Sequence, residues 1–291
     1  MKSLESHPIE ITYPEDWRLP LIFSSPHSGD HYPISFVEAS CLSLTDLRQS
    51  EDYAVHHLFE ACVPLGAPLL TARFPRVFCD ANREAWELDP DMFEDPLPPF
   101  VNRHSPRVSA GLGTIPRIVS ADVAIFDRKL SFAEAEHRIT ACHMPYHEAL
   151  QRLIEKCRRQ FGFALVIDCH SMPGNSGREM AEPPLSDFIL GNRFGRTCPQ
   201  EITDLVAATL QEKDHSVAFN SPYAGGYITR TYADLARNIY TLQIEINRDL
   251  YMDPKALSLI PGAQDLQEVL GFLLKRLGDY FQKSGQKYKT A

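Results

Sequence analysis

The chain has 291 residues, 44% hydrophobic and 23% charged, a balance that supports a packed core and excludes a disordered or low-complexity protein. Its net charge of -9, with no Lys/Arg block, argues against nucleic acid and leaves a small molecule as the expected partner. No apolar run approaches the roughly 20 residues that span a bilayer, and the N-terminus lacks an apolar signal core, so a cytoplasmic location without membrane association is expected.

In chain order, the apolar run Leu19 to Phe23 ends in Ser-Ser-Pro-His-Ser-Gly and reads as a buried strand feeding a polar loop. Between Leu44 and Leu65 the apolar positions Leu47, Val55, Leu58, Phe59 and Cys62 fit one helical face. Strands are predicted near Pro68 to Ala72 and Val77 to Asp80. The Pro-rich stretch 89 to 107 is too long for a simple connector, as is 171 to 187, and loops of that length tend to carry function.

Ser131 followed by Glu134 forms a capping-box pattern that opens a helix to about Gln160, with Pro145 as a break or kink. Phe163 to Ile167 is a second buried strand, running into Asp168-Cys169-His170-Ser171. Helices are predicted near 199 to 213 and 264 to 283, and strands near Ser216 to Phe219 and Ile239 to Ile246. Strand and helix patterns that alternate in this way indicate an α/β domain, and with no repeat or linker one domain over 1-291 is expected. Seven scattered cysteines without a CxxC pair read as reduced, mostly buried thiols.

Two histidines, His27 and His170, each stand just past a predicted strand, where ligands gather in open α/β sheets. Eleven histidines make some such placements chance, and a histidine alone is more often structural. Catalytic zinc commonly takes three protein ligands from His and Asp/Glu, so a carboxylate must join the pair. Asp30, Glu51 and Asp52 are candidates, and spacing does not choose among them.

Glu245 lies within Leu-Gln-Ile-Glu-Ile-Asn-Arg, and a glutamate in such an apolar run suggests a proton acceptor. The plain alternative is an outward-facing residue on an edge strand, since Gln243, Glu245 and Asn247 alternate on one face. Asn82-Arg83 follows the predicted strand Val77 to Asp80, and arginine is shaped to grip a carboxylate with two parallel hydrogen bonds, although a surface ion pair would look the same. Gly225 and Gly226 permit close backbone approach, as does any plain turn. Arg117, Arg178 and Arg230 fall in predicted loops where an anionic substrate could meet them. Cys169 reads as a buried inert thiol rather than a nucleophile. His147, two residues after Pro145, is either a supporting or substrate group or a helix-surface residue.

The series Pro26-His27-Ser28-Gly29, Glu51-Asp52, Asp80-Ala81-Asn82-Arg83, Pro145-Tyr146-His147, Asp168-Cys169-His170-Ser171, Gly225-Gly226 and Glu245-Ile246-Asn247-Arg248 resembles the N-formylglutamate amidohydrolase family in order and spacing, over roughly residues 20 to 255. The resemblance implies a three-layer α/β/α fold with a central mixed sheet, phosphorylase/hydrolase-like and akin to the zinc exopeptidases. It also implies one Zn2+ held by His27, His170 and an acid, for which the family pattern favours Asp52. Related carboxypeptidases instead carry an acid three residues after their first histidine, the place of Asp30. By the same resemblance Glu245 is the general base and Asn82 and Arg83 hold the substrate carboxylate. Apart from the resemblance, Arg117, Arg178 and Gly226 are expected at the substrate as well, with Arg117 or Arg178 helping the metal to stabilise the oxyanion.

The implied reaction is hydrolysis of an N-acyl amino acid, N-formyl-L-glutamate to L-glutamate and formate, with a role in histidine degradation if that is the substrate. The rivals are a zinc hydrolase of the same fold acting on another N-acyl amino acid or small peptide, and a metal-free binding protein on the same scaffold.

Overall fold

The protein is described here by a computed structural model covering residues 7-119, 123-175 and 184-284. The chain divides into two compact units interleaved in sequence. One is built from Met1–Glu10, Pro26–Glu51 and Thr71–Ala149; the other from Ile11–Ser25, Asp52–Leu70 and Leu150–Ala291.

The strands are β1 (Ile9–Thr12), β2 (Leu21–Ser25), β3 (Leu69–Ala72), β4 (Ala164–Met172), β5 (Phe188–Gly191), β6 (Val217–Phe219) and β7 (Ile239–Asn247). They form one mixed sheet in the order β1-β3-β2-β4-β7-β5-β6. Within it β2, β4 and β7 run parallel, whereas β5 pairs with β7 antiparallel. The result is an α/β protein with a central seven-stranded sheet flanked by helices.

In the second unit β4 and β7 are buried along all nine residues each, which is why they read as continuous apolar runs. Alternation divides their side chains. Leu21, Phe23, Leu165, Ile167, Cys169, Leu242, Ile244 and Ile246 point into one large apolar core. The opposite face carries Ser24, Asp168, His170, Gln243 and Glu245, brought level by the register Ser24 to Asp168 to Gln243 and His170 to Glu245. Two amphipathic helices cover the apolar face: Gln200–Gln211 with Ile202, Val206 and Leu210, and Gly262–Ser284 with Leu266, Leu270, Leu273, Leu277 and Phe281. No described helix is long and apolar enough to cross a membrane.

The first unit has a smaller core of Phe36, Leu47, Val77 and Ile125. Its helices include α1 (Ile34–Ala39), α2 (Leu44–Arg48) and α3 (Phe132–Arg138). The Ser131/Glu134 capping box is present in full. Helix α3 runs through a π-helical turn, Ile139–His143, into α4 (Met144–Phe161), which continues into the second unit. The break lies just before Pro145, whose missing N–H and ring cannot close an ordinary i to i-4 turn; the Met144 N–H instead reaches Ile139 O.

Three expectations fail. Residues 44 to 65 are not one helix but three short ones, α2, Val55–Leu58 and Cys62–Leu65. Glu51 and Asp52 lie in the break, followed by Ala54 at φ 54°, a left-handed residue that ends any helical path. Val77 to Asp80 is a turn, not a strand, because the Phe78 and Cys79 N–H groups fold back onto Pro75 O. His170 lies inside β4 rather than past its end, since the strand runs on to Met172.

Candidate functional site

In the first unit, His27 sits on the loop after β2. Gly29 fixes this loop: a Cβ there would stand 2.3 Å from Phe74 O and 2.7 Å from the Arg73 carbonyl carbon, so only glycine lets the backbones approach. His27 Nε2 meets Asp80 Oδ1 at 2.6 Å, with both side chains buried. Asp80 also accepts from the Asn82 N–H at 2.8 Å and from Arg76 Nη2 at 2.9 Å, and Arg83 Nη2 lies 3.6 Å away. Burial opposes the charge on Asp80, but Arg83, His27 and Arg76 together hold its pKa well below the usual carboxylate range.

Arg83 and Asn82 are both buried. Arg83 donates from Nε to Leu112 O and from Nη1 to Asn82 O, each at 2.8 Å, which fixes the plane of its guanidinium. The loop beneath is held by two adjacent imidazoles, His143 and His147, with ring centroids 4.1 Å apart and planes tilted by 33°. His143 Nε2 bonds to Arg83 O at 2.9 Å and His147 Nε2 to Ala81 O at 2.8 Å. Burial lowers both pKa values, that of His147 to about 3, so each ring is neutral and donates from Nε2. His147 is thus a support for the Asp80-Arg83 loop rather than a helix-surface residue.

Arg117 pairs with Asp89 at 3.0 Å and is partly exposed, and Arg178 lies outside the described residues. Arg230 is exposed, over the Tyr227 ring. Asp30 is exposed. Glu51 is buried and taken up by Arg48, at 3.0 and 3.2 Å, and by the Tyr32 hydroxyl at 2.8 Å.

In the second unit, His170 stands between two carboxylates. Its Nδ1 lies 2.9 Å from Asp52 Oδ2 and its Nε2 3.1 Å from Asp168 Oδ1. Burial disfavours charge on this ring, but Asp168 and Asp52, and beyond them Glu245, push its pKa well above that of an ordinary imidazole. The other oxygen of Asp52 accepts from Arg248 Nη2 at 3.1 Å and from the Ser171 hydroxyl at 3.4 Å. Thr229 Oγ1 donates to Asp168 at 3.2 Å.

Glu245 is only 7% exposed and β7 lies between β4 and β5, so the outward-facing edge-strand alternative does not describe it. Gln243 Nε2 donates to Glu245 Oε1 at 2.8 Å, and the Gly226 N–H donates to Gln243 Oε1 at 2.8 Å. Gly226 therefore touches Glu245 through one amide side chain. Gly225 precedes it at φ +117°, where a Cβ would also meet Thr229 Cγ2 at 2.8 Å. Cys169 is buried and its thiol is pushed far up by burial, which leaves it inert; all seven cysteines are thiols, six of them buried.

Three buried residues, His27, Asp52 and His170, each offer a ligand atom within 4.8 Å of the others, a group that could hold a metal ion. The acid of this group is Asp52, not Asp30 or Glu51. Sequence reading overlooked the neighbours of these side chains: Asp80 beside His27, Asp168 beside His170, and Arg248 on Asp52. Two of those neighbours were visible in principle. Asp168 is two residues before His170 on the same strand face, and Asp80 sits in the quoted Asp-Ala-Asn-Arg segment.

Against known proteins, the model of the family described as N-formylglutamate amidohydrolase matches residues 19-252. The chain is 30% identical to the N-formylglutamate deformylase of Pseudomonas putida over 243 residues, covering 81% of this chain and 83% of that protein. The N-formylglutamate deformylase of Pseudomonas aeruginosa is 26% identical over 248 residues, with 82% and 84% covered. The crystal structure of N-formylglutamate amidohydrolase from Ralstonia eutropha JMP134 superposes with a TM-score of 0.89 at 37% identity, covering 95% of this chain and 99% of that one.

Proposed function

We propose that this chain, which belongs to the N-formylglutamate amidohydrolase family, is a zinc-dependent hydrolase that cleaves an N-formyl amino acid, N-formyl-L-glutamate foremost, into the free amino acid and formate. The observation that carries this reading is the buried His27, Asp52 and His170 group.

Two imidazoles and one carboxylate match the donor set of three-ligand catalytic zinc sites. The surroundings fit as well. His27 is oriented through Nε2 by Asp80, and Asp168 stands 3.1 Å from Nε2 of His170, the place where a carboxylate commonly supports a metal-ligating histidine. We therefore assign ligation to Nδ1 of both histidines and to Oδ2 of Asp52, whose other oxygen is engaged by Arg248. A zinc ion held there would supply Lewis acidity for the acyl carbonyl and for a water made nucleophilic near neutral pH.

The chain's own groups do the rest. Glu245, steadied by Gln243, takes a proton from the attacking water onto its carboxylate and returns it to the leaving nitrogen. Arg83, its guanidinium plane fixed by two backbone carbonyls, grips the substrate carboxylate with Asn82 beside it. Arg117 or Arg178 is assigned to stabilising the oxyanion, and Gly226 to holding Gln243 in place. The names of the two Pseudomonas relatives support the formyl substrate.

Metal analysis of the purified protein, with formate release measured across N-formyl and N-acetyl amino acids, tests the reading. About one zinc per chain is expected, with activity on N-formylglutamate that chelation removes and zinc restores. Undiminished turnover by metal-stripped protein, or no turnover of any N-acyl amino acid, would refute it.

A further inference from the structure

The first unit contains a cavity of about 910 Å3 between α1, α2 and α3. Its walls are mostly apolar, with Ile34 and Phe36 from α1, Leu44 from α2, and Phe78. His27, Asp80, Asn82 and Arg83 are not among its lining residues. Three arginines reach it. Arg48 is matched by Glu51 and Arg128 by Glu134. Arg138 is different: it is only 6% exposed, and among the described residues its buried Nη1 has no hydrogen-bond partner.

What surrounds Arg138 is aromatic. Its guanidinium carbon lies 4.8 Å from the Phe78 ring centroid, 5.3 Å from Phe126 and 5.5 Å from Phe36. Ring faces attract the cation, but they cannot accept the in-plane N–H donors, of which a guanidinium has five. Burying such donors without an acceptor is costly. Burial lowers the pKa only to about 10, so the group stays charged at neutral pH.

We propose that this cavity is a binding site for a small monocarboxylate with an apolar body, whose carboxylate is received by Arg138. A carboxylate presents two coplanar acceptors that match the edge of a guanidinium, and the aromatic rings leave that geometry as the unmet requirement. The apolar walls select the rest of the molecule, and the volume lies within the range of small-molecule pockets. This site is independent of the proposed hydrolysis.

Calorimetric titration of the full chain with benzoate, and with benzamide as its neutral counterpart, tests the site. Benzoate is expected to bind once per chain, at least about tenfold more tightly than benzamide, since charge-assisted bonds to arginine are worth that much. Arg138→Met should weaken benzoate by a similar factor. Ala141→Leu narrows the same cavity, leaves the guanidinium in place and should also weaken binding, so the site remains testable if Arg138→Met does not fold. Arg83→Lys should leave benzoate affinity unchanged. The proposal is overturned by equal affinity for benzoate and benzamide, by affinity that survives Ala141→Leu, by loss of binding in Arg83→Lys, or by no saturable binding at millimolar benzoate.

Discussion

His170 and Glu245 are register partners across the parallel pairing of β4 and β7, on the same face of the sheet and both buried. The candidate metal ligand and the candidate proton acceptor are thus set side by side by backbone pairing alone. Replacing Glu245 with Gln keeps the shape and the contact with Gln243 while removing the capacity to take a proton. The variant should retain its metal and lose at least about a hundredfold in kcat with little change in KM, the usual worth of general-base help. Metal-loaded Glu245→Gln with more than about a tenth of wild-type kcat would remove Glu245 from that role.

Asp52, and not Asp30 or Glu51, shares the buried group with His27 and His170. Asp52→Ala, His27→Ala and His170→Ala should each lose zinc on gel filtration, whereas Asp30→Ala should keep it. Glu51→Ala should keep metal but lose stability, because it leaves Tyr32 and Arg48 without their shared acceptor. Full zinc occupancy in Asp52→Ala, read by elemental analysis, would overturn the assignment.

Arg83 is fixed by Leu112 O and Asn82 O, so a carboxylate meets a guanidinium already held in plane. Lysine offers no planar fork, and Arg83→Lys should raise KM by at least about tenfold. The side-chain and backbone amides of the substrate should lose ground in wild-type enzyme to the same degree. Equal turnover of an acid and its amide rules the clamp out.

His143 and His147 set a pH dependence of stability. Both are held neutral by burial, with the folded pKa of His147 near 3 against about 6.5 for a free imidazole. Above pH 6.5 neither state takes up a proton, and stability from these rings is complete. As pH falls below that value, the unfolded chain binds protons that the folded rings refuse. Stability should then drop by at most about 1.4 kcal/mol per pH unit for His147, until its folded pKa is reached. His147→Gln keeps a donor for Ala81 O without a titrating group and should show a shallower decline between pH 6.5 and 4.5. Parallel denaturation curves for the two proteins would dismiss the effect.

The sequence by itself determined the elements whose evidence is local. Continuous apolar runs announced β2, β4 and β7 because those strands are covered on both faces, and the Ser131/Glu134 capping box marked the start of α3. Glu245, inside the run that became β7, stood out for the same reason: burial of a charge needs a purpose or a partner. His170 stood out by its expected place past a strand end, although the strand in fact runs on through it. Tertiary structure alone decided which acid meets His170, since Asp52 is 118 residues away, and Arg248, which steadies Asp52, is 196 residues from Asp52. It also decided that β7 is central rather than an edge, and that Val77 to Asp80 turns back on Pro75 instead of extending. Periodicity reports which face of an element is buried. It carries no record of what lies against that face, because strand order and loop paths are fixed by contacts between segments that are remote in sequence.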